Sequence, residues 1–91
     1  MTKAELVTEI ADKAGLNRAQ AREALDAFIA SVAHSLKDGK EVRLVGFGKF
    51  VPVKRAAGVA RNPKTGERVR RPASHTCRFH AGDALKSVLN S

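Results

Sequence analysis

His75, Cys77 and His80 are the side chains of this sequence that come nearest to a metal-ligand grouping, and Cys77 is its one thiol nucleophile. A zinc site needs ligands that converge on one point. An extended segment would place His75 and Cys77 on one face and His80 on the other, so the three do not converge. Nucleophilic catalysis by a thiol needs a paired general base, and none is evident. The expectation is a small buried thiol beside two surface imidazoles. No metal, cofactor, small-molecule substrate or catalysis is expected, and His34 reads as a surface or boundary residue of a helix.

The chemistry of this chain lies in its cations. It has 91 residues, with 17 Lys+Arg against 9 Asp+Glu and a formal net charge of +8. Between Lys49 and His80 stand Lys49, Lys54, Arg55, Arg61, Lys64, Arg68, Arg70, Arg71 and Arg78, with Glu67 as the only acid. That third of the chain carries the whole excess, and the remainder is formally neutral. A merely solvated surface would intersperse both signs. A concentrated surplus of one sign points to a polyanion, nucleic acid before an acidic membrane. A single cysteine excludes an internal disulfide framework and suits a reducing compartment. Leu6, Val7 and Ile10 are interrupted by Glu5, Thr8, Glu9 and Asp12, so no signal-peptide core is expected. No stretch approaches the roughly 18 apolar residues of a membrane span. The expectation is a soluble, intracellular protein.

The elements that position these cations follow from periodicity. Thr2 with Glu5 forms a capping box, followed by Leu6, Val7, Ile10, Ala11 and Ala14 at helical spacing, up to Gly15. Asn17 with Gln20 is a weaker box. It opens a longer helix striped by Ala21, Ala24, Leu25, Phe28, Ile29, Val32 and Leu36, closed at Gly39. Together they predict a helical hairpin over 1–39. The period then falls to about two. Val42, Leu44, Phe50 and Val53 alternate with charged residues as two half-buried strands, joined tightly at Gly46-Phe47-Gly48. Pro52 lacks a ladder donor, which predicts an edge or a bulge. Residues 54–72 hold only Val59 and Val69 as large apolar side chains, around the turn chemistry of Asn62-Pro63-Lys64-Thr65-Gly66. They predict a β-ribbon arm projecting from the body, with a loop that orders on its ligand as the alternative. Apolar character returns at Cys77 and Phe79, and Leu85, Val88 and Leu89 share a face of a short final helix. The body, 40–53 and 73–81 with both helical segments, is small for Phe28, Phe47, Phe50 and Phe79. Dimerisation is the simplest way to bury them.

Three other functions fit less well. A helix-turn-helix reader needs a basic, polar recognition helix, whereas the second helix mixes Arg18 and Arg22 with Glu23 and Asp26. Single-strand or RNA binding by base stacking needs aromatics among the cations, and the arm has none. Membrane-surface binding needs a basic amphipathic helix, and the helices here have nearly neutral polar faces.

Gly46-Phe47-Gly48-Lys49-Phe50, Arg55-Ala56-Ala57 and Arg61-Asn62-Pro63-Lys64-Thr65-Gly66, in that order and at this spacing, resemble the HU and integration host factor family of bacterial histone-like proteins. The resemblance covers nearly the whole chain. It implies a single α+β domain of 1–91: a helical hairpin, a three-stranded antiparallel sheet with a long protruding β-arm, and a short C-terminal helix over 82–91. It further implies an intertwined dimer that bends, wraps and compacts double-stranded DNA through the minor groove, with little sequence preference, in the cytoplasmic nucleoid. Carried over by position, Pro63 is the wedge at the arm tip and Arg55 and Arg61 lie along the groove. Lys3 and Lys86 contact phosphates from the body. Lys54, Asn62, Lys64, Arg68, Arg70 and Arg71 complete the expected DNA-binding set, and Phe28, Phe47, Phe50 and Phe79 the dimer core. Gly58, the His75–Arg78 stretch, His80 and Asp83 depart from the family pattern, which implies weaker flanking contacts from the body. A homodimer is expected, and a subunit of a site-preferring heterodimer like integration host factor is the alternative.

Overall fold

Thr2 starts the first helix because its hydroxyl accepts a hydrogen bond from the Glu5 amide at 3.2 Å. The computed structural model describes residues 1–91, in two compact units, 1–34 and 35–91, described in turn. In the first, α1 (Lys3–Ala14) ends at Gly15, whose N–H donates to the Ala11 carbonyl. The second helix, α2 (Arg18–Lys37), carries the better cap. The Gln20 amide donates to Asn17 Oδ1 at 2.8 Å, and Gln20 Oε1 accepts from the Asn17 amide at 3.1 Å. Both halves of the box are therefore closed here, at the site that reads as the weaker of the two. Val7, Ala11 and Ala21 are buried where the helices meet, with Ile10, Leu16 and Leu25 packed around them. Further along the α2 stripe Phe28 is 41% and Ile29 49% exposed and Ala24 is exposed too, while Val32 and Leu36 are half-buried.

In the second unit, α2 closes with paired bonds from Gly39 N–H to Leu36 O and from Lys40 N–H to Ser35 O, a left-handed helix stop. Strands β1 (Val42–Leu44), β2 (Gly48–Arg55) and β5 (Ser74–Ala81) form an antiparallel sheet in the order β1-β2-β5. A separate ladder joins β3 (Gly58–Arg61) to β4 (Arg68–Arg71), and α3 (Asp83–Leu89) follows. The turn before β2 is Leu44-Val45-Gly46-Phe47, closed by Phe47 N–H to Leu44 O at 3.0 Å. Of the two glycines expected to relieve that connection, only Gly46 has a positive φ, of 84°. Gly48 is needed for space. A Cβ there would collide with the His80 carbonyl oxygen and lie 2.7 Å from Phe79 Cζ.

The register assigns the two faces of the sheet. Directly opposite residues share a face, and faces alternate along each strand. Val42, Phe50 and Phe79 form one row, followed on the same face by Pro52 with Cys77 and by Lys54 with His75. The Phe79 ring reaches both neighbours, with centroids 5.1 Å from Phe47 and 4.9 Å from Phe50, both tilted. Val53 is on the other face, with Thr76, and not with Phe50, because the two stand three positions apart along an unbroken strand. Pairing through Pro52 runs without a bulge. The proline is tolerated because β1 pairs only as far as Phe50, which leaves β2 with one neighbour beyond it.

Candidate nucleic-acid interface

The arm is built from few residues, and its register sorts them. Arg61 faces Arg68, Ala60 faces Val69, Val59 faces Arg70 and Gly58 faces Arg71. Alternation therefore gathers Arg61, Arg68 and Arg70 on one face, beside Val59, and leaves Arg71 on the other with Ala60 and Val69. No acid lies within the ladder. The chain reverses between them through bonds centred on one residue. Asn62 N–H donates to Glu67 O at 2.8 Å, and Asn62 O accepts from Gly66 N–H at 2.7 Å. Asn62 Oδ1 accepts from the Lys64 amide at 2.9 Å, and Thr65 Oγ1 accepts from the Glu67 amide at 3.3 Å. This short Asx-type turn leaves Pro63 and Lys64 exposed at the extreme end. Asn62 thus has a structural task at the tip.

Lys54 and Arg55 belong to β2, opposite His75 and Ser74 on opposite faces of the body sheet. Neither ladder includes Ala56-Ala57 or Pro72-Ala73, which form the root of the arm. Arg55, Arg71 and Ser74 line a notch there of about 330 Å³. Lys86 is exposed in the last turn of α3. Lys3, in the first unit, is held by Asp26, Nζ to Oδ1 2.6 Å. An anion contacting Lys3 must compete with that carboxylate. Sequence reasoning missed Arg43, Lys49 and Arg78 as members of a common surface. The register puts Arg43, Lys49 and His80 in one row across β1, β2 and β5, with Arg78 on the same face. Strand parity around the tight turn carried that signal, but it is readable only once the register is known.

The expected dimer-core side chains fall into two places. Phe28 is on α2, and Phe47, Phe50 and Phe79 form the cluster beside the sheet, with Phe47 43% and Phe79 41% exposed. The thiol expected to be buried is exposed: Cys77 pairs with Pro52 past the end of β1, which stops opposite Phe50. His75 shares its face and His80 lies on the opposite one. No three His, Cys, Asp or Glu side chains gather at one point, and no helix is long and apolar enough to cross a membrane.

Residues 1–90 match the family described as Bacterial DNA-binding protein. The chain is 67% identical over 90 residues to the DNA-binding protein HU of Caulobacter vibrioides, covering 99% of this chain and 98% of that one. It is 48% identical to DNA-binding protein HU-beta of Escherichia coli, covering 99% and 100%. Among solved structures, an Anabaena HU–DNA cocrystal superposes with a TM-score of 0.87 at 37% identity, over 98% of this chain and 97% of that one. HU from Thermotoga maritima follows at 0.69 and 26%, with 98% of each chain covered.

Proposed function

Since this chain belongs to the bacterial DNA-binding protein family, to which HU belongs, we propose that it is an architectural protein that binds and bends double-stranded DNA as a dimer. The observation that carries this reading is the arm: three arginines on one face of a two-stranded ribbon, leading to an exposed proline. A wedge at a base step must be apolar, rigid and small, and proline meets each condition without bringing an amide that needs a partner. Unstacking a step costs about a few kcal/mol, a figure for minor-groove architectural proteins as a class, HU among them. The contacts of a bent duplex offset it. Arginine suits the negative potential of a narrow minor groove. That groove distinguishes little beyond A·T from G·C, so sequence preference is weak.

Arg55 and Arg71 at the root, with Arg61, Arg68 and Arg70 along the arm, hold the backbone, while Lys64 and Pro63 engage the tip. Lys54, Lys86 and, once released from Asp26, Lys3 supplement them from the body. Two copies of the chain cover the uncovered apolar surface, and DNA bending of this kind belongs at the bacterial nucleoid. No catalytic step is part of this function. The test is mobility shift with FRET bending on linear duplexes. Pro63→Ala keeps most of the affinity and loses bend angle, whereas an unchanged bend removes the wedge role. Charge reversal at Arg61 weakens binding to all sequences alike.

A further inference from the structure

Asn62 stands apart from its neighbours at the tip. From Arg61 to Arg71 every residue is exposed except Asn62, which is half-buried. A direct DNA contact calls for an outward side chain on so thin a ribbon, and this one folds back on its own loop. The paired part of the arm ends at Arg61 and Arg68. Pro63 therefore lies beyond the last ladder pair, where no strand sets its direction. The bonds of Asn62 do so instead. Its N–H donates to Glu67 O at 2.8 Å and its carbonyl accepts from Gly66 N–H at 2.7 Å, which ties the outgoing limb to the returning one. Its Oδ1 accepts from the Lys64 amide at 2.9 Å and so spans Pro63. The pyrrolidine ring already fixes the φ of Pro63 and restricts the backbone of the residue before it. The Oδ1 bond closes a ring through both residues and removes the freedom that is left, in their two ψ angles. This is the bond of an Asx turn, and the residue it encloses is the proline.

We propose that Asn62 is the positioning residue of the wedge: it sets the direction in which Pro63 leaves the ribbon, and it acts on duplex DNA through the proline and not by a contact of its own. This rests on the bending function above. The two backbone bonds survive any side-chain substitution, whereas the Oδ1 bond does not. The net contribution of one neutral hydrogen bond is modest, so its loss shifts the balance between wedged and unwedged complexes by about 2- to 12-fold per arm. The arginines of the ladder still hold the backbone, so affinity falls no further than it does in Pro63→Ala.

The experiment reads the ratio of bent to unbent complexes by single-molecule FRET on one end-labelled duplex, with affinity by mobility shift and thermal melting alongside. It compares the full chain with Asn62→Ala, Asn62→Ser, Pro63→Ala and the double variant Asn62→Ala/Pro63→Ala. Asn62→Ala is expected to lower the ratio by about 2- to 12-fold per arm and to leave the melting temperature unchanged, because the bond lies outside the body. Asn62→Ser restores most of the ratio, since a hydroxyl can accept from the amide two residues on, as Thr65 Oγ1 does from Glu67 at 3.3 Å. In the Pro63→Ala background Asn62→Ala lowers the ratio no further, because two residues that act through one group are not additive. An unchanged ratio in Asn62→Ala, or a loss that adds in full to that of Pro63→Ala, overturns the proposal while the wedge stands. Affinity lost in Asn62→Ala and Asn62→Ser alike, with the ratio kept, assigns Asn62 to direct contact with DNA and overturns it too. If Pro63→Ala by itself leaves the ratio unchanged, the wedge reading fails and this proposal fails with it.

Discussion

Gly48 shows how one missing methyl organises the aromatic side of the sheet. The Phe79 ring lies over its Cα and from there reaches Phe47 and Phe50. Gly48→Ala must push either the His80 carbonyl or the Phe79 ring aside. Overpacking of this kind costs about 1–3 kcal/mol, so the urea midpoint is expected to fall with little change in slope. A midpoint within error of the unmodified chain would mean that the ring moves freely. Neighbouring Gly46 is required for a different reason, its backbone conformation in the turn. Both glycines are visible in the sequence as one motif, but their division of labour is not. Turn chemistry identifies a bend from local residue types, whereas a close approach depends on β5, which arrives some thirty positions later in the chain. The same limit applies to Cys77: its type favours burial, and its exposure follows from where β1 stops.

At the scale of elements, the helices were legible almost to the residue. Caps and apolar periodicity are local, and Thr2, Asn17, Gln20 and Gly39 act within a turn of themselves. The arm was legible as a basic ribbon with a tip at Asn62–Gly66, because charge and turn residues are also local properties. Its internal order was not. Which arginines stand together depends on Arg61 facing Arg68 and not its neighbour, a one-residue matter that reverses every side chain. A two-stranded ladder is marginally stable alone, and this one shares no strand with the body sheet. Limited trypsin digestion is therefore expected to cut first between Arg61 and Arg71, leaving the helical segment and the body strands intact longer. Saturating duplex DNA is expected to suppress that cleavage selectively. Equal cleavage rates in the arm and in α2, with or without DNA, would contradict the assignment.

For the molecule as a whole, the decisive quantity is how little this single chain buries. Only Val7, Ala11 and Ala21 are buried apolar residues, and Val88 and Leu89 of α3 remain 69% and 70% exposed. So small a core falls short of what a stable independent domain needs. Folding should therefore be linked to association, and the melting temperature should rise with protein concentration. Calorimetry over a hundred-fold range of concentration tests this, and a constant midpoint would show that the chain folds alone. The sequence anticipated the need for a partner from four phenylalanines in a small body. It could not show that Phe28 and the Phe47–Phe50–Phe79 cluster lie in different units of the chain.

The gap in pairing at Ala56-Ala57 and Pro72-Ala73 has a practical result. Because the outer ladder is joined to the rest by two covalent strands and no backbone bridges, it is a detachable cassette. A foreign hairpin of different length or composition, spliced in at those alanines, would give a chimaera that keeps its scaffold while changing what it grasps.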